Sequence, residues 1–316
     1  MAKKIVVLGT GGTIAGTSDV VGASVGYTAA QLGVEQLLAA VSGLARAAGG
    51  ALEAEQVAQV DSKDMDFAVW ARLAACCAAH LADPRVGGIV VTHGTDTLEE
   101  TAWLLHNLLP ADKPVVLTCA MRPATALAPD GPQNLLDAVT LAAEPSARGV
   151  LVAAAGVVHG AREVNKVHPL RLDAFDSGDT GPLGWVEAGR VRWARGRGPR
   201  ADVPLWGELL PGLAAAAWPR VEIVMSHAGA DGALVDWLVQ GGAQGIVVAA
   251  TGNGTVHGAL EAALSRAVAA GVRVRVASRC PQGRMLALHG MPWRDADGLS
   301  PVKARVSLLL ELMSAA

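Results

Sequence analysis

The chain has 316 residues, enough for a large core and two domains. Hydrophobic residues make up 51% and charged residues 17%, the balance of an ordinary globular protein, and a net charge of −3 offers no electrostatic footprint for nucleic acid. Apolar runs are short and bounded by glycine or polar residues, so no membrane span is expected. The first residues, Met1-Ala2-Lys3-Lys4, lead straight into a short strand without a signal-peptide pattern, which predicts a cytoplasmic protein. Cys76, Cys77, Cys119 and Cys280 match no zinc spacing and read as free thiols of a reducing compartment.

In chain order, residues 4–8 (KIVVL) read as a buried strand, and 31–40 begin a helix. Residues 51–60 form a strand candidate that ends at Asp61-Ser62-Lys63-Asp64. Residues 66–82 are helical by period, with Phe67, Trp70, Leu73 and Cys77 on one face. Strand 86–91, helix 98–109, strand 115–119, helix 132–143 and strand 149–155 follow. This βαβ repetition predicts an α/β fold with a mostly parallel, doubly wound sheet covered by helices on both faces. Residues 157–167 and 185–193 read as hairpin material, with Gly160 and Gly189 at the turns. An Arg/Gly/Pro-rich stretch then suggests a linker, so the expected division is 1–193, a linker at 194–220, and a smaller α/β domain at 221–316. The second part alternates again: strands at 221–225, 246–250 and 272–278, helices at 232–239, 257–270 and 301–313, the last opened by Pro301.

Two glycine-flanked threonine loops stand out: Gly-Thr-Gly-Gly-Thr-Ile-Ala-Gly at 9–16 and His-Gly-Thr-Asp-Thr at 93–97. Each follows a strand candidate, and an open parallel sheet binds its ligands outside the carboxyl ends of its strands. Thr13, Thr95 and Asp96 are therefore expected in one crevice. A dinucleotide reading of the first loop fails, because Ile14 stands where the fingerprint needs its third glycine and no acidic residue ends a second strand about 20 residues on. Taken alone, Thr13 has the position of a helix cap, His93 that of a structural hydrogen-bonding residue, and Glu99 and Glu100 that of first-turn acids. Tyr27, the sole tyrosine, follows the glycine-rich stretch 17–26, which has the composition of a mobile lid. Its phenol either fills space or relays a proton for Thr13. No histidine pair has ligand spacing, so neither a metal nor an organic cofactor is expected.

With these residues assembled, the chain resembles the bacterial-type L-asparaginases of the asparaginase/glutaminase family over nearly its whole length. The strongest anchors are residues 9–16, Tyr27-Thr28, Asp61-Ser62-Lys63-Asp64-Met65 and residues 91–101; weaker ones are Ala120-Met121-Arg122-Pro123, Asp130-Gly131-Pro132, Gly181-Pro182-Leu183-Gly184 and Gly252-Asn253-Gly254. The resemblance implies hydrolysis of L-asparagine to L-aspartate and ammonia. It implies Thr13 as primary nucleophile beside Tyr27, Thr95 as the second threonine, and Lys166 as the lysine bonded to it. Ser62 would hold the substrate α-carboxylate, Asp96 the α-amino group, and the Ala120 backbone the amide end. Asn253 would reach the site of a neighbouring subunit in a homodimer or homotetramer. Two departures are visible. Lys63 replaces the usual uncharged or acidic residue and either pairs with the α-carboxylate or points into solvent. Cys280-Pro281-Gln282-Gly283-Arg284 lacks the acidic residue that many members send across the subunit interface. Broad glutaminase-asparaginase activity, a subunit of a tRNA-dependent amidotransferase, and a catalytically silent amino-acid-binding protein are the alternative readings.

Overall fold

The computed structural model describes residues 3–20, 22–23, 25–110, 112–194, 206–286 and 293–315. The chain divides into two compact units, Met1–Ala214 and Ala215–Ala316.

In the first unit, β1 (Lys4–Gly11), β2 (Leu52–Val60), β3 (Val86–Thr92), β4 (Pro114–Thr118) and β5 (Gly149–Ala154) run parallel. Their spatial order is β5-β4-β3-β1-β2. The chain leaves β1 toward one edge to form β2 and then crosses back to β3 on the other side, so the strand order reverses between β1 and β3. That reversal opens a crevice at the carboxyl ends of these two neighbours.

Burial follows the period of two. Ile5 and Val7 of β1, Val90 of β3, Val116 of β4 and Leu151 of β5 join one apolar cluster with Leu135, Ala138 and Val139 of α5 (Gly131–Ala143). Val34 of α1 (Val34–Ala39) and Leu44 of α2 (Leu44–Ala48) complete that layer. The alternate strand residues point to the other face, where α3 (Phe67–Ala82) packs on β2 and β3, and α4 (Leu98–Leu108) packs on β5. The helix expected from residue 31 starts at Val34, and α2 carries no clear sequence signal.

The antiparallel part departs from the sequence reading. β6 (Val157–Gly160) pairs back on β5 through a turn at Ala155-Gly156, so Gly160 ends a strand and is not a turn residue. The Ala155 and Gly156 φ angles of 50° and 76° are both left-handed, the conformation a tight hairpin turn requires. β7 (Asn165–Lys166) pairs with β8 (Phe175–Asp176), and β9 (Gly184–Glu187) with β10 (Arg190–Trp193) across the expected turn at Gly189. Of the stretch expected as a linker, 195–205 lies outside the described residues. Gly207–Gly212 forms a 3-10 turn against α4, tied by the Trp206 N–H to the Asn107 carbonyl at 2.8 Å.

The second unit has a parallel sheet in the order β11 (Val221–Met225), β12 (Gly245–Ala250), β13 (Arg273–Ser278), β14 (Arg294–Asp295). One face buries Val235 of α6 (Ala233–Gln240) and Leu260, Ala263 and Leu264 of α7 (Gly258–Ala269) against Ile246, Val248 and Val276. α8 (Pro301–Ser314) packs on β11, β12 and β13.

Candidate active site

Both threonine loops leave the strands that flank the reversal. β1 ends at Gly11 and Gly12 follows it, with φ of 104° and 79°, and Thr13 opens a 3-10 turn, Thr13–Ala15. These conformations carry the chain sharply out of the sheet, and a side chain at either glycine would collide with backbone. At Gly12 that backbone is Gly94 and the His93 carbonyl carbon; at Gly94 an added carbon would strike the Ser62 side chain. Three loops, following β1, β2 and β3, thus meet at van der Waals distance through glycines. Thr13, Ser62 and Thr95 stand at that junction, and all three are buried.

The Thr13 hydroxyl lies 2.6 Å from the Tyr27 phenol. Tyr27 is held there by a backbone pair between Thr17 and Thr28, at 2.9 and 2.8 Å, which closes the base of the 17–26 loop. Within that loop Val21 and Ser24 lie outside the described residues. Ser18 and Gly22 are bonded to Thr125, through the Thr125 hydroxyl at 2.9 Å and the Thr125 carbonyl at 3.3 Å. The expected lid therefore has fixed attachments at both of these points.

Lys166, on β7, donates to the Thr95 hydroxyl at 2.7 Å and to Asp96 at 2.6 Å. The sequence alone gave this lysine no role, because a two-residue strand carries no periodic signal. Its backbone N–H donates to the Glu99 carboxylate at 3.1 Å. Glu99, expected only as a first-turn acid, therefore also ties α4 to β7. Ser62 links the second and third loops: its hydroxyl accepts the Asp96 N–H at 3.1 Å, and its carbonyl accepts the Thr97 hydroxyl at 2.8 Å.

His93 is fully buried behind Thr95. One ring nitrogen is 2.7 Å from the Gly94 carbonyl and the other 2.9 Å from the Thr101 hydroxyl, which accepts the Trp70 indole N–H at 2.8 Å. The Thr101 proton then faces His93 Nε2, so the ring carries its proton on Nδ1 and is neutral. Burial pushes the histidine down to about 4, in agreement. His93 has the structural role that its sequence position suggested.

Ala120 is buried after β4 and packs with Ile14 and Ala15, beside Thr13. The turn is held from below: Asp130 accepts the Met121 and Arg122 N–H groups at 2.9 Å each, and Asn134 bonds the Cys119 carbonyl at 3.0 Å and the Ala155 N–H at 3.0 Å. Asn134 was not singled out from sequence; the Asp130-Gly131-Pro132 helix start was the available signal.

Lys63 and Asn253 each have partners of their own. Lys63 is 61% exposed and ion-paired with Asp64, whose carboxylate raises the lysine pKa. Its charge is engaged by Asp64 at the exposed surface. Asn253, in the second unit, exchanges hydrogen bonds with the Leu286 backbone, accepting at 2.6 Å and donating at 3.3 Å. The Gly12 N–H donates to the Val60 carbonyl at 2.9 Å. It serves to lock the loop.

A doubly wound sheet that sets one threonine hydroxyl beside a phenol and another beside a lysine has the groups that a hydrolase working through hydroxyl chemistry requires. Comparison with known proteins makes this specific. Residues 4–197 match the family model described as Asparaginase, N-terminal, and residues 220–315 match the Glutaminase/Asparaginase C-terminal domain. L-asparaginase 2 of Escherichia coli is 38% identical, covering 98% of this chain and 88% of that protein. The glutaminase-asparaginase of Pseudomonas fluorescens is 36% identical, covering 98% and 86%. The crystal structure of a probable cytoplasmic L-asparaginase from Campylobacter jejuni superposes with a TM-score of 0.90 at 37% identity, covering 98% of this chain and 95% of that one. The chain belongs to the asparaginase family and is an amide hydrolase.

Proposed function

We propose that Thr13 is the nucleophile that opens the side-chain amide of L-asparagine, and that the Thr95–Lys166 pair serves the second half of the reaction. The reaction of the chain is that of its family, asparagine and water giving aspartate and ammonia. The observation that supports the assignment is the 2.6 Å contact between the Thr13 and Tyr27 oxygens. A neutral threonine is a poor nucleophile and requires a partner that takes its proton as the new bond forms. The phenol is in reach to do so. Thr13 Oγ1 bonds to the amide carbon, its proton passes to Tyr27 and onward to the leaving nitrogen, and ammonia departs from a threonine ester. Water then attacks the ester and returns the proton to Thr13. Lys166, already bonded to Thr95, is placed to assist the proton transfers of this step. The Thr13 and Thr95 backbone N–H groups are the proposed oxyanion donors, each worth about 3 kcal/mol in comparable sites.

The substrate head group would be read by Ser62 and Asp96. Because the Ser62 hydroxyl accepts the Asp96 N–H, its own proton is left to donate to a carboxylate. One Asp96 oxygen takes Lys166 and the other is left for an ammonium. The buried Ala120 turn would position the amide end. Lys63 has no part in this reading, since Asp64 engages it. No step calls for a metal or organic cofactor, and no nucleic acid or membrane partner is assigned; among the described residues no helix is long and apolar enough to cross a bilayer. The working form would be a cytoplasmic homodimer or homotetramer, in which Asn253 completes a neighbour's site. α6 supports self-association by presenting Leu234 and Trp237 to solvent, 47% and 67% exposed.

The test is ammonia release from asparagine by the wild-type chain and by Thr13→Ala and Thr95→Ala. Each variant is expected to lose at least about a thousandfold in kcat with an unchanged fold. Near-normal turnover by Thr13→Ala overturns the nucleophile, and absence of turnover by the wild type overturns the reaction in favour of a silent amino-acid-binding protein.

A further inference from the structure

Away from the threonine loops, a second set of reactive side chains converges. Cys76 and His80 lie one turn apart on α3 and so share a face. Glu55 of β2, the strand on which α3 packs, stands opposite them. The Cys76 thiol donates to Glu55 Oε1 at 3.2 Å, and His80 Nε2 is 2.7 Å from Glu55 Oε2. One ligand atom from each residue lies within 4.8 Å of the other two. We propose that Glu55, Cys76 and His80 form a binding site for one divalent transition-metal ion, zinc foremost, which clips α3 to β2.

The chemistry of the set selects the ion. A thiolate and an imidazole favour zinc and its late first-row neighbours, whereas magnesium and calcium take oxygen ligands. Around a tetrahedral zinc, bonds of about 2.0 Å to nitrogen and oxygen and about 2.3 Å to sulfur separate the ligand atoms by about 3.3–3.6 Å. The sulfur lies 3.2 Å from Glu55 Oε1 and the nitrogen 2.7 Å from Glu55 Oε2, so rotation of the half-exposed Glu55 side chain is needed to bring one oxygen to face both. Three protein ligands leave a fourth position for water. Burial and the facing carboxylate push the empty thiol up to about 12, and a bound cation reverses that balance. On loading, the Cys76 S–H bond breaks, its proton goes to solvent, and a sulfur–metal bond forms, with no change of oxidation state. In the sequence no histidine pair has ligand spacing and the cysteines match no zinc pattern, so this site carries no signal of either kind. This pair is mixed, and its third ligand lies 21 residues before Cys76 on a different element.

The site is independent of the catalytic reading and is tested without it. Chelator-treated, reduced protein is titrated with cobalt(II). The expected result is a thiolate-to-metal charge-transfer band and the intense visible absorption of tetrahedral cobalt, saturating at one ion per chain and bleached by an equivalent of zinc. Cys76→Ser removes the charge-transfer band and His80→Ala weakens binding at least tenfold. Cys280→Ser, which alters the exposed thiol elsewhere, changes neither. The proposal is overturned if wild-type protein develops no charge-transfer band, if the band survives in Cys76→Ser, or if it disappears in Cys280→Ser. Zinc should also protect Cys76 from alkylation in wild-type protein; equal alkylation with and without zinc counts against the site without recourse to any variant.

Discussion

Gly12 and Gly94 touch backbone to backbone, and through this contact the loops after β1 and β3 share one junction. A carbon added at Gly12 meets the Gly94 backbone, and one added at Gly94 meets Ser62. The obstructing atoms at Gly12 are main chain, so no rotamer relieves the clash, and the φ of 79° adds strain for any L side chain. Gly12→Ala and Gly94→Ala are expected to cost about 1–3 kcal/mol in stability, the range for overpacking a close-packed region. Loop displacement should also cost about a hundredfold in kcat/KM, as an ångström of misplacement does. Denaturant midpoints and asparagine kinetics check both. Full activity in either variant would mean that the loops tolerate separation.

Lys166→Met removes the shared donor of Thr95 and Asp96 while keeping much of the stem. With proton transfer worth about 10²–10⁴-fold, kcat is expected to fall within that range and KM to change less. A rise in KM alone would show that Lys166 acts only by holding Asp96 for the substrate. Glu99→Gln, which alters the acceptor of the Lys166 N–H, should give a milder loss in the same direction.

His93 gives the protein a defined acid sensitivity. Its folded pKa is depressed, from an ordinary value near 6.5 to about 4. Between these values the unfolded chain takes up a proton that the native ring refuses. Stability from this residue is therefore fully present above pH 6.5 and is lost as pH falls toward 4, by about 3 kcal/mol in all. Unfolding free energies measured across that window should show this slope for wild type. His93→Gln is expected to be less stable at neutral pH and to lose this component of the slope.

What could be read from the sequence divides along physical lines. The strands β1, β3, β4 and β12 are buried on both faces and stand out as unbroken apolar runs, and the loops after β1 and β3 carry glycines that the turns require. That sufficed to bring Thr13, Thr95 and Asp96 to one sheet edge. Lys166 and Glu99 were not legible as a pair, because they meet across 67 residues between a two-residue strand and a helix start. The 157–167 hairpin was misplaced because Ala155, a residue without turn propensity, takes the left-handed position ahead of Gly156. For Lys63 the sequence leaves two readings, substrate carboxylate or solvent, and the exposed pair with Asp64 places its charge at the surface.

Asn253 tests the proposed assembly. Its amide fastens the Leu286 backbone within its own unit, so Asn253→Ala leaves a backbone N–H without its 2.6 Å acceptor. If the residue also completes a neighbour's site, the variant should lose activity at least tenfold while sedimenting as wild type does. Sedimentation of the wild type at assay concentrations should give a dimer or tetramer. A fully active monomer would refute the shared site.

Asparagine should be preferred over glutamine. Both would present the same head group to Ser62 and Asp96, and they differ by one methylene between that head and the amide. A fitted pocket discriminates one methylene by about 1–3 kcal/mol, or about 10–200-fold. The grip on the head group is narrow here: Lys63 is engaged by Asp64, and the 280–284 segment supplies no carboxylate. Glutamine has one more rotor to freeze before its amide carbon reaches Thr13, and a narrow grip leaves less binding energy to offset that entropy. The preference should therefore appear in kcat as well as KM, since a poorly anchored amide is misaligned in the transition state. Initial rates of ammonia release on the two substrates, each over a full concentration range, give the ratio of kcat/KM. A value equal for both, or greater for glutamine, would overturn the prediction and identify the chain as a glutaminase-asparaginase, the activity named for its Pseudomonas fluorescens relative.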